Sequence, residues 1–148
     1  MGFRNSLTNA GFGQHIQPGL RALSANSQRI QCRTQQAIQG SIDLDSACQT
    51  AEPNAARWDY GIGIISGNST RTEWVEVHPA TSSETKHILA KLAWLKNKIR
   101  DWQAPCDIGH SRFHWIATGG VHIDQKKKRQ LAQAGLKMPQ KRLSLPSR

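Results

Sequence analysis

The sequence predicts an α/β fold: a small mixed β-sheet with an antiparallel hairpin and a right-handed βαβ crossover. Three stretches predict it. Residues 57–65 (RWDYGIGII) and 72–79 (TEWVEVHP) alternate with period two around the turn cluster Ser66-Gly67-Asn68-Ser69, the pattern of two antiparallel strands. Residues 81–102 carry an apolar stripe at helical spacing, and 113–117 (FHWIA) alternate once more. Strand, helix and strand in that order make a crossover, which is right-handed in nearly every known case.

Taken in order, residues 1–19 are rich in Gly, Asn and Gln and predict a flexible N-terminal segment. A single α/β domain is expected over 20–136, followed by a basic C-terminal tail, 137–148, whose Pro139 and Pro146 suggest mobility. Within the domain, 28–34 (QRIQCRT) alternates weakly and reads as a strand. Asp43 and Asp45 precede a short helix running to Glu52; N-capping explains them more simply than metal ligation. Pro53-Asn54 marks a turn.

In the hairpin, Trp58, Tyr60, Ile62 and Ile64 share one face of the first strand, and Asp59, Gly61 and Gly63 the other. The second strand sets Trp74, Glu76 and His78 against Glu73, Val75 and Val77. Thr81 and Glu84 have capping-box spacing. Ile88, Leu92, Leu95, Ile99 and Trp102 then form the buried stripe of a helix that stops before Pro105. After the third strand, Asp124 opens a basic helix reaching about Leu136.

Charge separates the chain into regions. Among 148 residues, 20 are Lys or Arg and 10 are Asp or Glu, a formal net charge of +10. Every acid lies between Asp43 and Asp124, where the basic residues nearly balance them, and all five Trp lie there too. Acid-free arms flank that centre, with Arg4, Arg21, Arg29 and Arg33 on one side and Lys126-Lys127-Lys128-Arg129, Lys137, Lys141, Arg142 and Arg148 on the other. Such arms favour a polyanionic partner, DNA or RNA. No stretch approaches the roughly 18 apolar residues of a membrane span, so no membrane partner is expected. Cys32, Cys48 and Cys106 are odd in number and scattered, which favours a reducing, cytoplasmic setting. The start lacks an apolar export signal, and its myristoylation-like and transit-like features are too common to displace that reading.

The chemistry-bearing set is Asp59 on one hairpin strand and Glu76-Val77-His78 on the other. Pairing the strands brings two carboxylates together, and their repulsion calls for a cation. Mg²⁺ or Mn²⁺ suits such oxygen donors and would polarise a phosphoryl group. Arg57, Lys86 and Lys91 stand nearby in sequence to meet a phosphate.

Over residues 57–118 this order of elements, with Asp on one strand and Glu-x-His on the next, resembles the core of the PD-(D/E)XK restriction-endonuclease-like nucleases. The resemblance implies Asp59 and Glu76 as metal ligands. It also implies a catalytic lysine where this chain has His78, and superfamily members sometimes move that lysine elsewhere; Lys86 and Lys91 are the candidates. Trp58 replaces the motif proline. The expected function is a metal-dependent nuclease acting on phosphodiesters. The alternatives are a nuclease fold that only binds nucleic acid, and a basic protein-interaction module. A homodimer is left open.

Other features carry weaker readings. Gly61 and Gly63 would give a ligand close backbone approach, or mark a bend. Cys106, His110 and His114 have suggestive spacing, but Gly109 interrupts them and no fourth zinc ligand stands out. His114 is expected to face solvent or line the site. Lys126, Lys127, Lys128 and Arg129 would contact a phosphate backbone, or form a solvated helix face.

Overall fold

The computed structural model describes residues 2–34, 37–102 and 110–147. Its main sheet has five strands: β1 (Ile16–Gln17), β3 (Ile38–Asp43), β4 (Tyr60–Ser66), β5 (Ser69–Thr81) and β6 (Ser111–His122), hydrogen-bonded in the order β1-β3-β4-β5-β6. The first four run antiparallel to their neighbours, whereas β5 and β6 are parallel. Helix α3 (Thr85–Trp102) lies between β5 and β6 in the chain, so the hairpin and crossover predicted from period-two and helical patterning are both present. A second, two-stranded parallel sheet pairs β2 (Ile30–Cys32) with β7 (Leu143–Leu145). The remaining helices are α1 (Phe3–Asn9), α2 (Leu44–Cys48) and α4 (Gln125–Gln133).

Both faces of the main sheet are covered. On one, Ile88, Leu92, Leu95 and Ile99 of α3 pack with Trp74 and Trp115. On the other, Ile62, Ile64, Val75 and Ile116 meet Leu23, Ile30, Leu143 and Leu145. Double coverage explains why β5 buries Glu73 and Glu76 alike, since alternation sends them to opposite, equally dry faces.

Several sequence expectations need correction. Residues 21–29 form 3-10 turns, leaving only 30–32 of the expected 28–34 strand. Trp58 precedes β4 and joins the α3-side core, not the face of Ile62 and Ile64, because regular alternation begins only at Tyr60. Thr81 makes no side-chain cap, and Glu84 turns to His78 instead; an intervening 3-10 turn, Ser82–Glu84, breaks the box geometry. Helix α4 stops at Gln133, although Asp124 does cap it by accepting from Lys127 N at 2.8 Å.

Both ends of the chain are tied down. Phe3 and Leu7 of α1 are buried in the core, so the N-terminal segment expected to be flexible packs as part of the fold. The C-terminal stretch pairs through β7 and anchors Ser147 Oγ on Glu73 Oε1 at 2.5 Å. Alternating Leu143 and Leu145 supply the apolar anchors that proline content alone concealed.

Gly61 and Gly63 make room for aromatic rings. A Cβ on Gly61 would lie 2.6 Å from the Trp74 ring, and one on Gly63 would collide with Phe3. Their function is thus close core packing, neither a ligand approach nor a bend. Gly63→Ala is expected to cost about 1–3 kcal/mol, the usual range for overpacking, measured as a lower urea midpoint.

Candidate active site

Asp59 sits one residue before β4, held by its carbonyl, which accepts from Leu44 N at 2.8 Å. Glu76 lies on β5 and opposes Trp115 of β6 in register. The strands interlock through these two side chains. Asp59 N donates to Glu76 Oε1 at 3.1 Å, and Val77 N donates to Asp59 Oδ2 at 2.9 Å. Each carboxylate therefore satisfies a backbone amide on the neighbouring segment.

Lys91 completes the cluster from α3. Its Nζ contacts Glu76 Oε2 directly and lies 3.8 Å from Asp59 Oδ1. One ammonium thus faces two carboxylates, in a site where Glu76 is fully buried. Burial, reinforced by the Asp59 charge, pushes Glu76 up to about 8, even though Lys91 pulls the other way. Asp59 is also raised, chiefly by burial. The cluster is short of one positive charge when both acids are ionised, and that shortage would be met by a proton or by a further cation.

His78 borders the cluster. Its Nδ1 lies 3.8 Å from Glu76 Oε2, while Nε2 donates to Glu84 Oε2 at 2.8 Å. That hydrogen bond holds the Glu84 carboxyl below its usual range. The His87 ring lies nearby, tilted 48° to that of His78 with centroids 5.6 Å apart. His87 and Lys91, four residues apart on α3, and Glu84 from the 3-10 turn before it reach His78 and Glu76 of β5.

Lys86 and Lys91 separate clearly. Five residues along a helix rotate a side chain roughly 140° around the axis, so only one of them can face the carboxylates. Lys91 does; Lys86 is exposed. Arg57 is engaged elsewhere, with Asp45 Oδ1 at 2.9 Å and the carbonyls of Glu52 and Pro53. Asp43 caps α2 by accepting from Ser46 N at 3.0 Å. Neither Asp43 nor Asp45 therefore joins the cluster as a ligand.

His114 is not at this site. It projects from the opposite face of the sheet, is 5% exposed, and meets Glu73 Oε2 at 2.5 Å. This pairing corrects the solvent-facing expectation and removes His114 from a zinc set. Cys106, like Pro105 and Gly109, lies outside the described residues. Among the described residues no group of three or more His, Cys, Asp or Glu side chains is placed to hold a metal. Lys126–Arg129 sit at the start of α4, where Asp124 N donates to Ser82 Oγ, beyond the end of β5.

Sequence reading missed the roles of Glu84, Glu73 and Ser147. The spacing of Glu84 suggested a cap, and that capping pattern hid its pairing with His78. The Glu73–Ser147 contact spans 74 residues and has no local signature.

Compared with family models, curated proteins and solved structures, the chain gives no match.

Proposed function

We propose that this chain is a metal-dependent nuclease-like protein acting on phosphodiester bonds of DNA or RNA, with a restriction-endonuclease-like core. The observation that carries the reading is the meeting of Asp59, Glu76 and Lys91 at the hairpin beside the crossover helix. The lysine reaches the carboxylates from α3 while His78 occupies the strand position, which fits the relocated lysine that the sequence resemblance allows.

The donor set fits a hard divalent ion. Asp59 and Glu76 offer only oxygen; burial raises the proton affinity of both, the Asp59 charge adds to it at Glu76, and a dication would offset the cost of ionising them there. Mg²⁺ commonly takes one or two carboxylates and keeps waters, so two protein ligands suffice. When bound, such an ion would supply Lewis-acid polarisation of a phosphoryl oxygen. Lys91 would offer its ammonium to the phosphate charge, as a moved counterpart of the motif lysine. His78, oriented by Glu84, would accept a proton through Nδ1. With Cys32 and Cys48 present as free thiols, the cytoplasm is the location we expect. No helix among the described residues is long and apolar enough to cross a membrane.

A second reading rests on the amide bonds. Asp59 and Glu76 each accept from the facing backbone, so the trio would serve as a structural clasp in a protein that only binds nucleic acid. Incubating the purified chain with labelled DNA and RNA in Mg²⁺ or Mn²⁺ separates the two. The nuclease reading expects cleavage that Glu76→Gln abolishes, together with calorimetric metal binding. Retained binding without cleavage or metal uptake would move the assignment to the clasp.

A further inference from the structure

We infer that the outward face of α4 docks the phosphate backbone of a nucleic-acid duplex, at the end of the sheet where His78 borders the Asp59–Glu76 carboxylates. The run Lys126-Lys127-Lys128-Arg129 does not act as one block. Leu131 is buried, Lys127 and Lys128 are half-buried, and Lys126 and Arg129 are exposed. Three residues along a helix advance a side chain by about 4.5 Å and leave it on the same side. These two cations therefore project together, away from the core. No Asp or Glu occurs in α4. Among the described residues, neither side chain takes part in an ion pair or a hydrogen bond.

That face stands beside the candidate active site. Asp124 N, at the head of α4, donates to Ser82 Oγ at 2.9 Å, and two residues further on Glu84 holds His78 at 2.8 Å. Near the other end, Lys96 Nζ of α3 donates to the Ala134 carbonyl, so α4 runs alongside α3 in the same direction. Both helices therefore begin where the parallel strands β5 and β6 end. Lys86, exposed on the first turn of α3, adds a third cation there. The acids at this end, Asp124 and Glu84, have partners within the protein. Asp124 caps α4 by accepting from Lys127 N at 2.8 Å, and Glu84 accepts from His78.

Charge complementarity selects a polyanion, and the shape of the face selects a duplex. Lysine and arginine contacts to phosphate fix a nucleic acid in place without reading its sequence. Proteins that grip single strands stack the bases on aromatic rings, and α4 (QKKKRQLAQ) contains none. A convex helix surface bearing charge alone meets the outside of a duplex, where the phosphates lie. The net charge of +10 draws such a polyanion from a distance, and α4 gives it a place to dock.

This inference rests on the nucleic-acid part of the proposed function and not on its catalytic part. The test is fluorescence anisotropy with a mixed-sequence DNA duplex, one of its single strands, and polyglutamate, over a range of salt. Lys126→Gln combined with Arg129→Gln is expected to weaken duplex binding by about tenfold and to lower the log–log salt slope by about 2, close to one unit per lost phosphate contact. Lys86→Gln, on a different helix, gives an independent second variant expected to weaken binding in the same direction. Arg21→Gln combined with Lys141→Gln removes two exposed charges elsewhere and should shift affinity far less. Equal losses for the two double variants would overturn docking on α4 in favour of general basicity. Tighter binding of the single strand would overturn the duplex as occupant. Binding of polyglutamate alone, lost in the α4 double variant, would give the face to an acidic protein instead. Glu76→Gln should retain duplex affinity, so loss of cleavage and loss of binding report on different claims.

Discussion

Lys91→Met is expected to lower stability by about 3–5 kcal/mol at pH 9, the usual cost of removing one member of a buried ion pair. Glu76 is fully buried and Asp59 largely so, and the described contacts give them this one ammonium in common. Without it, two neighbouring carboxylates face each other in a dry site. The loss should depend on pH in a defined direction. Glu76 holds its proton up to about 8 in the fold but releases it near the ordinary value of 4.5 when unfolded. Between those values the native state binds more protons, so the Glu76 contribution is full below about 4.5 and declines as pH rises through 8. Removing Lys91 raises the native proton affinity further and deepens that decline. Urea unfolding at pH 5 and pH 9 should therefore show a smaller difference between wild type and variant in acid. Adding Glu76→Gln to Lys91→Met should recover much of the alkaline loss. An equal deficit at both pH values would mean that packing of the lysine stem, and not its charge, is what matters.

The same cluster shows what was legible beforehand. The hairpin, the stripe Ile88–Leu92–Leu95–Ile99 and the returning strand are all periodic, and periodicity is local, so the sequence displayed them. Asp59 and Glu76 followed, because pairing two strands across a short turn brings their facing side chains together. Which lysine joins them did not follow, since Lys86 and Lys91 differ only in helical phase relative to a sheet whose position is tertiary. Glu84 suited two local roles, cap and partner, and the His78 ring decided between them. The tail was least legible. Its prolines suggested mobility, while its attachment depends on a carboxylate far away in sequence and on the pairing of β7 with β2.

That distant carboxylate gives a second large effect with the opposite pH sign. Burial raises the proton affinity of Glu73, but the hydrogen bond and charge of His114, the Ser147 hydroxyl and Arg71 outweigh it and hold the carboxyl below its ordinary value. A depressed native value means the unfolded state binds more protons on the acid side. The Glu73 contribution is thus present above about 4.5 and is lost as pH falls below it. Glu73→Gln should cost about 3 kcal/mol at pH 7, by leaving Arg71 and His114 without their anion. The deficit should shrink in acid, the reverse of what Glu76→Gln does on the other face of the same strand. Structure near the C-terminus should respond first, because Ser147 Oγ and N both donate to Glu73, and Arg71 holds the Ser147 carbonyl at 2.5 Å. In Glu73→Gln, limited trypsin digestion should therefore cut after Lys141 or Arg142, just before β7, under native conditions before the core opens. If the core and the C-terminal stretch instead become susceptible together, Glu73 supports the sheet as a whole and does not act as a local latch.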